Sequence, residues 1–380
     1  MPHDTVLIAG AGIGGLTTAL ALHARGIDVT IMDRTPTLRP IGVGINLLPH
    51  AVRELTNLGL GDALRDIAAA PHSICFYDHT GELLFREPRG LAAGDAHPQL
   101  SVHRGRLQML LLEAVRSRLG GIAVRAGTTV DGFIQDSDRV QVRTTAGTLS
   151  GAALIGADGI GSTVRAALHP GPDPLMWAGI TMYRGAASMP AFLDGSTMAI
   201  IKGDNGVDLV TYPIGGGLVN WVLQVPTGDP GELDGDAQWN LAAEPAEVSR
   251  HLTRWRLNWL DLDALVARTE NIFRYPMVDR NPLAYWGVGR VTLLGDAAHP
   301  MYPVGANGGS QAIVDARVLA DEYAVGGLAG LLRYEDQRRP ETTEVVAANR
   351  QMHHAFSEGT ADLDRVTSAY RSDTARSRRA

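Results

Sequence analysis

The sequence contains a single cysteine, no long apolar run and no excess of positive charge. Cys75 cannot pair within the chain, so an internal disulfide and a redox-active cysteine pair are both excluded. No stretch approaches the roughly 20 apolar residues of a membrane span. The first apolar run, from Thr5, meets a glycine-rich turn at Gly10, too early for a signal peptide. The net charge of −7 gives no reason to expect nucleic acid or an anionic membrane as a partner. We expect a cytoplasmic or similarly reducing location.

The first 33 residues have the pattern of a βαβ unit. An apolar strand over 5–9 is followed by Gly10-Ala11-Gly12-Ile13-Gly14-Gly15, an apolar-striped helix and a second strand that ends at Asp33. Glycine at positions 10, 12 and 15 permits a tight turn and lets a pyrophosphate approach the helix N-terminus. An acid at the end of the second strand can accept hydrogen bonds from an adenosine ribose. This context predicts a dinucleotide site but does not separate FAD from NAD.

Two further glycine-containing motifs each follow an apolar strand. Gly156-Ala157-Asp158-Gly159 follows the run 152–155, and Gly295-Asp296 follows the run 290–294. The second of these continues through a glycine-rich loop, 303–309, that opens a helix predicted to reach about Glu322. A helix N-terminus that faces a ring can stabilise negative charge on it, as a reduced flavin requires.

The middle of the chain is rich in β-branched and aromatic residues. A hairpin is predicted over 74–85, and four strands separated by glycine-rich turns are predicted between Met176 and Val225. We expect them to form an antiparallel sheet inserted into the α/β fold. Helices are predicted over 49–59, 104–119 and 244–259 and in the last 50 residues, with a loose tail from Ser372.

The predicted fold is therefore α/β: a Rossmann-like FAD-binding domain, an inserted antiparallel β-sheet domain for the substrate, and a helical C-terminus. The predicted FAD-binding domain is discontinuous and comprises 1–70, 98–172 and 276–330. The predicted substrate domain comprises 71–97 and 173–275. Residues 331–380 are assigned to C-terminal helices and a tail.

The three motifs, in this order and spacing, resemble the class A FAD-dependent aromatic monooxygenases, the para-hydroxybenzoate hydroxylase-like family. The resemblance covers the whole chain. It is strongest toward the phenazine-hydroxylating members, through 42–46, 102–105, 179–182, 275–280 and the loop after Gly295. Two positions depart from the family pattern: Asp33 stands where Glu is usual, and Gly161 stands where His is frequent.

The resemblance implies a set of contacts to non-covalent FAD. Pro303 and Gly305 are the expected catalytic positions, in a loop against the flavin ring, and no acid or base is assigned. Arg165 is expected to support Asp158. The expected FAD-binding residues are Gly10, Gly12, Gly14, Gly15, Asp33, Arg34, Gly44, Arg104, Asp158, Gly295, Asp296, Pro303, Gly305, Ala306, Asn307 and Gly308.

The resemblance also implies a reaction in which NAD(P)H reduces FAD, O₂ is consumed and an aromatic ring gains a hydroxyl group, with or without decarboxylation. A second GxGxxG is absent from the sequence, which argues against two-Rossmann reductases and Baeyer–Villiger enzymes. A flavoprotein oxidase or dehydrogenase on the same fold and a non-enzymatic flavin-binding protein remain as alternatives. No metal site is predicted. The choice of NADH or NADPH stays open, as does a monomer or homodimer.

The expected substrate site lies between the flavin-facing loop and the inserted sheet. Tyr183, Tyr212, Met301 and Tyr302 are the predicted substrate contacts. Arg184 must face the opposite side from Tyr183 because strand residues alternate, and it is expected to serve a structural or flavin-side role. His299 follows a buried strand, so we expect a packing role for it rather than general-base catalysis.

Overall fold

The computed structural model describes residues 5–233, 235 and 241–357 and begins with the predicted βαβ unit. The first strand is Val6–Ala9 (β1), the first helix is Ile13–His23 (α1), and the second strand is Val29–Asp33 (β2). β1 begins one residue later than predicted, and β2 ends at Asp33 as predicted. Apolar side chains of both strands are buried on both faces, as expected for the centre of a parallel sheet.

The chain up to residue 172 contains both helices and strands. Three of the helices that follow β2 within this part are Pro49–Asn57 (α2), Gly61–Asp66 (α3) and Arg104–Leu119 (α4). α4 has the bounds that the sequence predicted. The strands of this part and the helix that ends it are Gly44–Leu47 (β3), Ala68–Ala69 (β4), Ser73–Asp78 (β5), Leu83–Pro88 (β6), Leu100–His103 (β7), Val124–Ala126 (β8), Val130–Gln135 (β9), Val140–Thr144 (β10), Gly147–Gly151 (β11), Ala153–Gly156 (β12) and Thr163–Leu168 (α5).

The rest of the described chain is β-rich first and helical afterwards. Its strands are Met176–Ser188 (β13), Thr197–Lys202 (β14), Asp208–Pro213 (β15), Leu218–Pro226 (β16), Gly231–Glu232 (β17), Leu241–Ala242 (β18), Phe273–Asp279 (β19) and Val291–Leu293 (β20). Its helices are Pro245–Leu252 (α6), Leu262–Ala267 (α7), Asn307–Gly326 (α8) and Leu328–Ser357 (α9).

A five-stranded parallel sheet brings the three glycine motifs to one edge. Its order is β20-β12-β1-β2-β8, so the strands that precede the three motifs are neighbours. Because all three strands run in the same direction, their carboxyl ends meet, and the loops after Ala9, Gly156 and Leu293 lie side by side. Ligands of such sheets bind beyond the carboxyl ends of the strands. The predicted α/β class is confirmed.

The second large sheet contains the β-rich insertion, in the order β18-β19-β13-β16-β15-β14-β5-β6. The strand pairs of β13 to β16 are antiparallel as predicted, and so is the β5–β6 hairpin. The hairpin joins through a parallel pair of β5 with β14, so the sheet is mixed rather than purely antiparallel. Since Thr197 lies 119 positions after Asp78 in the sequence, no turn signal could have shown this pairing. β19 also runs to Asp279, past the predicted domain boundary at 275.

Both faces of this sheet are covered, one by helices and the other by the loop that follows Gly295. One face packs on α6 and α7 through a cluster that includes Cys75, Tyr183, Trp221 and Trp255. The other face carries Ala178, Ile180, Met182 and Val222 toward the loop after Gly295. Side chains alternate between these faces along every strand, as the pleat requires. A one-residue error in assigning the face would therefore exchange core and cavity residues.

Two helical predictions need correction or comment. The helix expected over 244–259 ends at Leu252, and non-helical turns lead to α7. Its start is a capping box between Glu244 and Glu247. The predicted tail from Ser372 lies outside the described residues. None of the described helices has the length and hydropathy that a membrane crossing needs.

Candidate functional site

The first glycine motif forms a tight turn at the start of α1. A Cβ atom at Gly10 would lie 2.3 Å from the Ala157 carbonyl oxygen, and one at Gly15 would lie 2.0 Å from the Gly10 oxygen. Both positions therefore require glycine for backbone packing. A Cβ at Gly12 would meet no atom within 4 Å. Open space thus remains in front of the first N–H groups of α1, where an anion is favoured.

Asp33 lies beside this turn, at the end of β2. Its Oδ2 accepts a 2.7 Å hydrogen bond from the Ala11 N–H, and its Oδ1 accepts one of 2.8 Å from the Thr35 N–H. These bonds orient the carboxylate while leaving a further lone pair on each oxygen. Arg34, the next residue, is exposed. The shorter acid found here in place of Glu is thus held directly against the glycine turn.

Asp158 is largely occupied by its own loop. Its carboxylate accepts hydrogen bonds from the Ser162 hydroxyl (2.5 Å) and the Thr163 N–H (2.8 Å) at the start of α5. Burial raises the pKa of the Asp158 carboxyl, and these hydrogen bonds offset part of that rise. The side chain therefore shapes the loop, and the expected cofactor contact would fall to the backbone around it.

Arg165 joins the second motif to the third. It is buried, forms a bidentate ion pair with Asp173 (2.6 and 2.9 Å), and donates to the carbonyls of Ala297 (3.1 Å) and Ala298 (3.0 Å). The expectation that Arg165 supports Asp158 was incomplete, because its guanidinium holds the loop after Asp296. This contact spans 132 residues and had no sequence signal.

Asp296 differs from Asp33 and Asp158 in having no hydrogen-bond partner within the described part of the chain. Its exposed carboxylate lines a cavity of about 1000 Å³, as do Arg104 and the first turn of α8. Gly305 and Ala306, just before α8, both have positive φ (68° and 61°). Positive φ at Ala306 is a strained backbone of the kind found at ligand-binding loops.

The cavity lies between this loop and the second sheet. Its sheet wall is mostly apolar and consists of alternate residues from five neighbouring strands. The apolar members of that wall are Ile74, Phe76, Ile180, Met198, Ile200, Val210 and Val222. The opposite wall is the loop from Met301 to Gly309, which includes every predicted flavin-loop residue.

Three of the four predicted substrate residues line this cavity: Tyr212, Met301 and Tyr302. Burial raises the pKa of Tyr212 to about 12, against the opposing effect of Arg184. Burial, together with Asp279, raises the pKa of Tyr302 to about 12 as well. Both phenols are therefore neutral at physiological pH and can donate hydrogen bonds rather than act as bases.

The placement of Tyr183 corrects the sequence prediction. Its ring lies on the other face of the sheet, 6.4 Å from the His251 ring, in the core under α6. Arg184 is the residue that lines the cavity. The alternation of the two side chains was predicted, but the assignment of faces was reversed, because both faces of β13 are covered and hydrophobicity does not distinguish them.

His299 lies in a buried network behind the loop and does not line the cavity. Its Nε2 is 2.6 Å from Asp315 Oδ2, and Asp315 Oδ1 accepts a 2.7 Å bond from Arg338 Nε. Burial alone would raise the pKa of the Asp315 carboxyl, but His299 and Arg338 more than offset it and lower that pKa. Asp315 also accepts from the Gly295 N–H at 3.2 Å, so the network anchors the third motif.

Several cavity residues were not predicted from the sequence. The buried Asn220, beside the cavity residue Gly44, also had no sequence signal: it accepts a 2.6 Å hydrogen bond from the Gly44 N–H and so joins the sheet to the loop 42–46. Asp208 and Gln224, paired across β15 and β16, form a polar end of the sheet wall. Arg350 and His353 reach the cavity from α9. Period-2 alternation would have placed the strand residues once one face was known, but α9 gave no such signal.

These features fit FAD. The open space at the start of α1, the Asp33 carboxylate beside it and the Asp296 carboxylate lie along one edge of the parallel sheet, and the cavity beyond them has room for fused rings. The fold and site define an FAD-binding protein. A family model described as "FAD binding domain" matches residues 3–349, and the chain belongs to that family.

Proteins similar in sequence and structure indicate the kind of reaction. The chain is 46% identical to phenazine 1,6-dicarboxylic acid hydroxylase of Lysobacter antibioticus, over 98% of this chain and 97% of that protein. It is 33% identical to 3-hydroxybenzoate 6-hydroxylase 1 of Aquipseudomonas alcaligenes, over 92% and 88%. The structure of Klebsiella pneumoniae HpxO with FAD and uric acid superposes with a TM-score of 0.82 at 26% identity, covering 98% and 93%.

The protein is therefore an FAD-dependent aromatic monooxygenase that uses NAD(P)H and O₂. The predicted cofactor and reaction class are confirmed, and the relatives favour this reading over a flavoprotein oxidase or dehydrogenase. When bound, FAD takes electrons from the nicotinamide and supplies the oxygen chemistry. The residues of this chain have the tasks of binding, orienting the ring and excluding water.

Proposed function

We propose that FAD lies extended along the carboxyl edge of the parallel sheet, held by the residues expected from the sequence. The pyrophosphate would face Gly10, Gly12, Gly14 and Gly15, with Asp33 and Arg34 beside the ribose. The middle of the cofactor would contact Arg104 and Asp296, and the ring would lie against the loop from Pro303 to Gly308. Gly44, Asp158 and Gly295 would contribute through their backbones. The N-terminus of α8 supports this orientation, since the positive end of the helix dipole favours negative charge on the ring.

We further propose that the substrate is a planar fused-ring heteroaromatic acid of the phenazine class. The observation that carries this proposal is the apolar sheet wall, which faces the flavin-side loop across a cavity of about 1000 Å³. Such a wall suits a large flat ring better than a flexible chain. The name of the 46% identical relative supports the same ring system. Hydroxylation would proceed with or without loss of a carboxyl group.

In this arrangement the chain contributes positioning rather than acid–base catalysis. Pro303 and Gly305 would fix the distance between the flavin and substrate rings, and Met301, Tyr302 and Tyr212 would hold the substrate from both walls. The sheet wall and the end of α9 would keep water from the reacting atoms. We also propose that residues 1–70, 98–172 and 276–330 form the FAD-binding domain and that 71–97 and 173–275 form the substrate domain, except that 276–279 complete strand β19 of the second sheet.

The test is NAD(P)H oxidation by the FAD-loaded enzyme with phenazine-1-carboxylic acid and isotopically labelled O₂. We expect substrate to stimulate NAD(P)H oxidation and labelled oxygen to enter the product. Oxidation with hydrogen peroxide but no labelled product would indicate an oxidase. No stimulation by fused-ring acids, combined with turnover of a single-ring phenol, would contradict the proposed substrate class.

We propose that the enzyme acts in a reducing compartment such as the cytoplasm, as a monomer or homodimer, without a nucleic-acid or membrane partner. The buried lone cysteine and the net charge of −7 support this proposal. Light scattering coupled to size-exclusion chromatography would measure the oligomeric state. An increase in measured mass on addition of nucleic acid would contradict this proposal. So would an enzyme that sediments with membranes.

A further inference from the structure

Arg184 is a cationic side chain in the mostly apolar sheet wall of the cavity. It lies in the middle of β13, beside Val222 of β16 in the strand register. Its guanidinium is 6.0 Å from the centre of the Tyr275 ring. The side chain is half-buried, and its Nε atom is buried.

This guanidinium has little compensation within the protein. Its Nη2 donates one hydrogen bond of 3.2 Å to the Gly44 carbonyl, and its Nε has no hydrogen-bond partner. No carboxylate of the described chain forms an ion pair with it; the charged group near it is Arg104. Burial lowers the pKa of the Arg184 guanidinium, yet arginine remains protonated in proteins. An unpaired cation in such a site is costly unless an anion binds there.

The geometry favours the substrate as the source of that anion. Arg184 projects from the sheet wall, whereas the loop and the first turn of α8 lie on the opposite, flavin side. Negative charge on the flavin ring can already be stabilised by the N-terminus of α8. A carboxylate on a ring held against the sheet could instead accept hydrogen bonds from the guanidinium N–H groups that Gly44 does not use, and charge-assisted bonds of this kind are the strong ones.

We propose that Arg184 binds the carboxylate of the aromatic substrate and thereby selects acids over neutral analogues; this inference rests on the proposed function. The carboxylate would anchor one end of the ring system, and the apolar residues beside Arg184 would hold the rings. The orientation of the ring relative to the flavin would then follow from a single charged contact.

The experiment compares two ligands of nearly equal shape, phenazine-1-carboxylic acid and phenazine-1-carboxamide, in the FAD-loaded enzyme. The variants are Arg184→Gln, Arg184→Lys and the matched control Arg274→Gln. Arg274 lies on the neighbouring strand β19, opposite Tyr183, and pairs at the surface with Glu247. The readouts are ligand Kd from flavin absorbance, kcat/KM for NAD(P)H oxidation, FAD affinity and the thermal midpoint.

We expect Arg184→Gln to weaken binding of the acid by about 10- to 100-fold and binding of the amide by less than about 3-fold. Arg184→Lys should retain part of the preference for the acid over the amide. Lysine keeps the positive charge but lacks the planar guanidinium that can donate two parallel hydrogen bonds. Arg274→Gln should behave as the wild type. These variants still distinguish acid from amide even if one of them is less stable.

Equal losses for acid and amide would overturn the proposal, since Arg184 would then act on the protein or on both ligands alike. A changed FAD affinity or flavin reduction rate without substrate, with the acid preference retained, would overturn it in favour of the flavin as the anionic partner. If neither compound stimulates the wild-type enzyme, the proposed substrate class fails, and the assignment of Arg184 fails with it.

Discussion

At the residue scale, the three aspartates of the glycine motifs differ in what occupies their carboxylates. Asp33 and Asp158 accept backbone hydrogen bonds from their own loops, whereas Asp296 has no partner in the described chain and faces the cavity. A polar group in that state is available to a ligand. We therefore expect loss of the Asp296 carboxylate to weaken cofactor binding more than it lowers the stability of the fold.

We expect Asp296→Ala to weaken FAD binding by about 30- to 150-fold while the protein stays folded. Two to three lost hydrogen bonds of about 1 kcal/mol each give that range. The measurement is FAD titration of the apoprotein by fluorescence quenching, with circular dichroism as the check on folding. Asp62→Ala, at an exposed site on α3, is the control for loss of one charge. Unchanged FAD affinity in D296A would place the cofactor elsewhere.

Tyr183 and Tyr212 form a second comparison, because both are buried tyrosines on strands of the same sheet but on opposite faces. Tyr212→Ala should leave FAD bound and lower the ratio of hydroxylated product to NAD(P)H consumed, with more hydrogen peroxide. Tyr183→Ala should instead cost about 3 kcal/mol of stability, as removal of a large core side chain does. The product ratio and the unfolding free energy of both variants are measured.

A lowered product ratio in Tyr183→Ala at wild-type stability would contradict the assignment of its side chain to the core. Tyr212→Phe is the conservative control, since it keeps the ring and removes the hydroxyl. If Tyr212→Phe retains coupling and Tyr212→Ala does not, the ring supplies the contact. A loss in both would assign the effect to the hydroxyl.

At the element scale, α8 and α9 are fixed to the third motif by charged groups that are removed from water. Asp315 on α8 and Arg338 on α9 have no exposed side-chain surface, and His299 completes the network. Loss of one member of a buried ion pair typically costs 3–5 kcal/mol, because the other charge stays buried. The network thus stabilises the helix whose first turn lines the cavity.

We expect Asp315→Asn to lower the unfolding free energy by about 3–5 kcal/mol at pH 7. The pKa of Asp315 is lowered in the folded state, so its ionised form contributes fully above its ordinary pKa of about 4. That contribution is lost as the pH falls through the lower, folded-state pKa. The difference between wild type and variant should therefore shrink below about pH 4 in urea unfolding at saturating FAD. A difference that is equal at pH 7 and pH 3 would contradict this prediction.

At the scale of the whole molecule, the C-terminal end of α9 lies at the cavity. It contacts both the second sheet, at the end of β19, and the loop after Gly295. Arg350 forms a bidentate pair, 2.7 Å in both contacts, with Asp279 at the end of β19. Asp279 has no exposed side-chain surface. His353, one turn further, packs its ring on Tyr302 at 5.8 Å. The last described helix thus covers one side of the proposed substrate site.

Arg350→Gln should destabilise the protein by about 3 kcal/mol and lower the product ratio, since buried Asp279 loses its partner and α9 its anchor. Arg333→Gln is the matched control in the same helix. Its ion pair with Glu322 is at the surface and should contribute less than about 1 kcal/mol. Thermal unfolding and peroxide formation are the measurements. Equal effects of the two substitutions would mean that the Arg350 pair does not anchor the helix.

The sequence by itself determined the features that depend on local backbone requirements. The glycine turn before α1, the strand-end acids Asp33 and Asp296 and the bounds of α4 follow from residues close together in the chain. The order and spacing of the three motifs identified the family.

Tertiary structure alone decided which face each strand turns to the cavity and which distant groups pair. Tyr183 and Arg184 exchanged their predicted places because both faces of β13 are covered, so alternation has no polar side to mark it. The parallel pairing of β5 with β14 and the contacts of Arg165, Asp315 and Arg350 join residues far apart in sequence. Such pairings depend on how the layers pack, which no local pattern records.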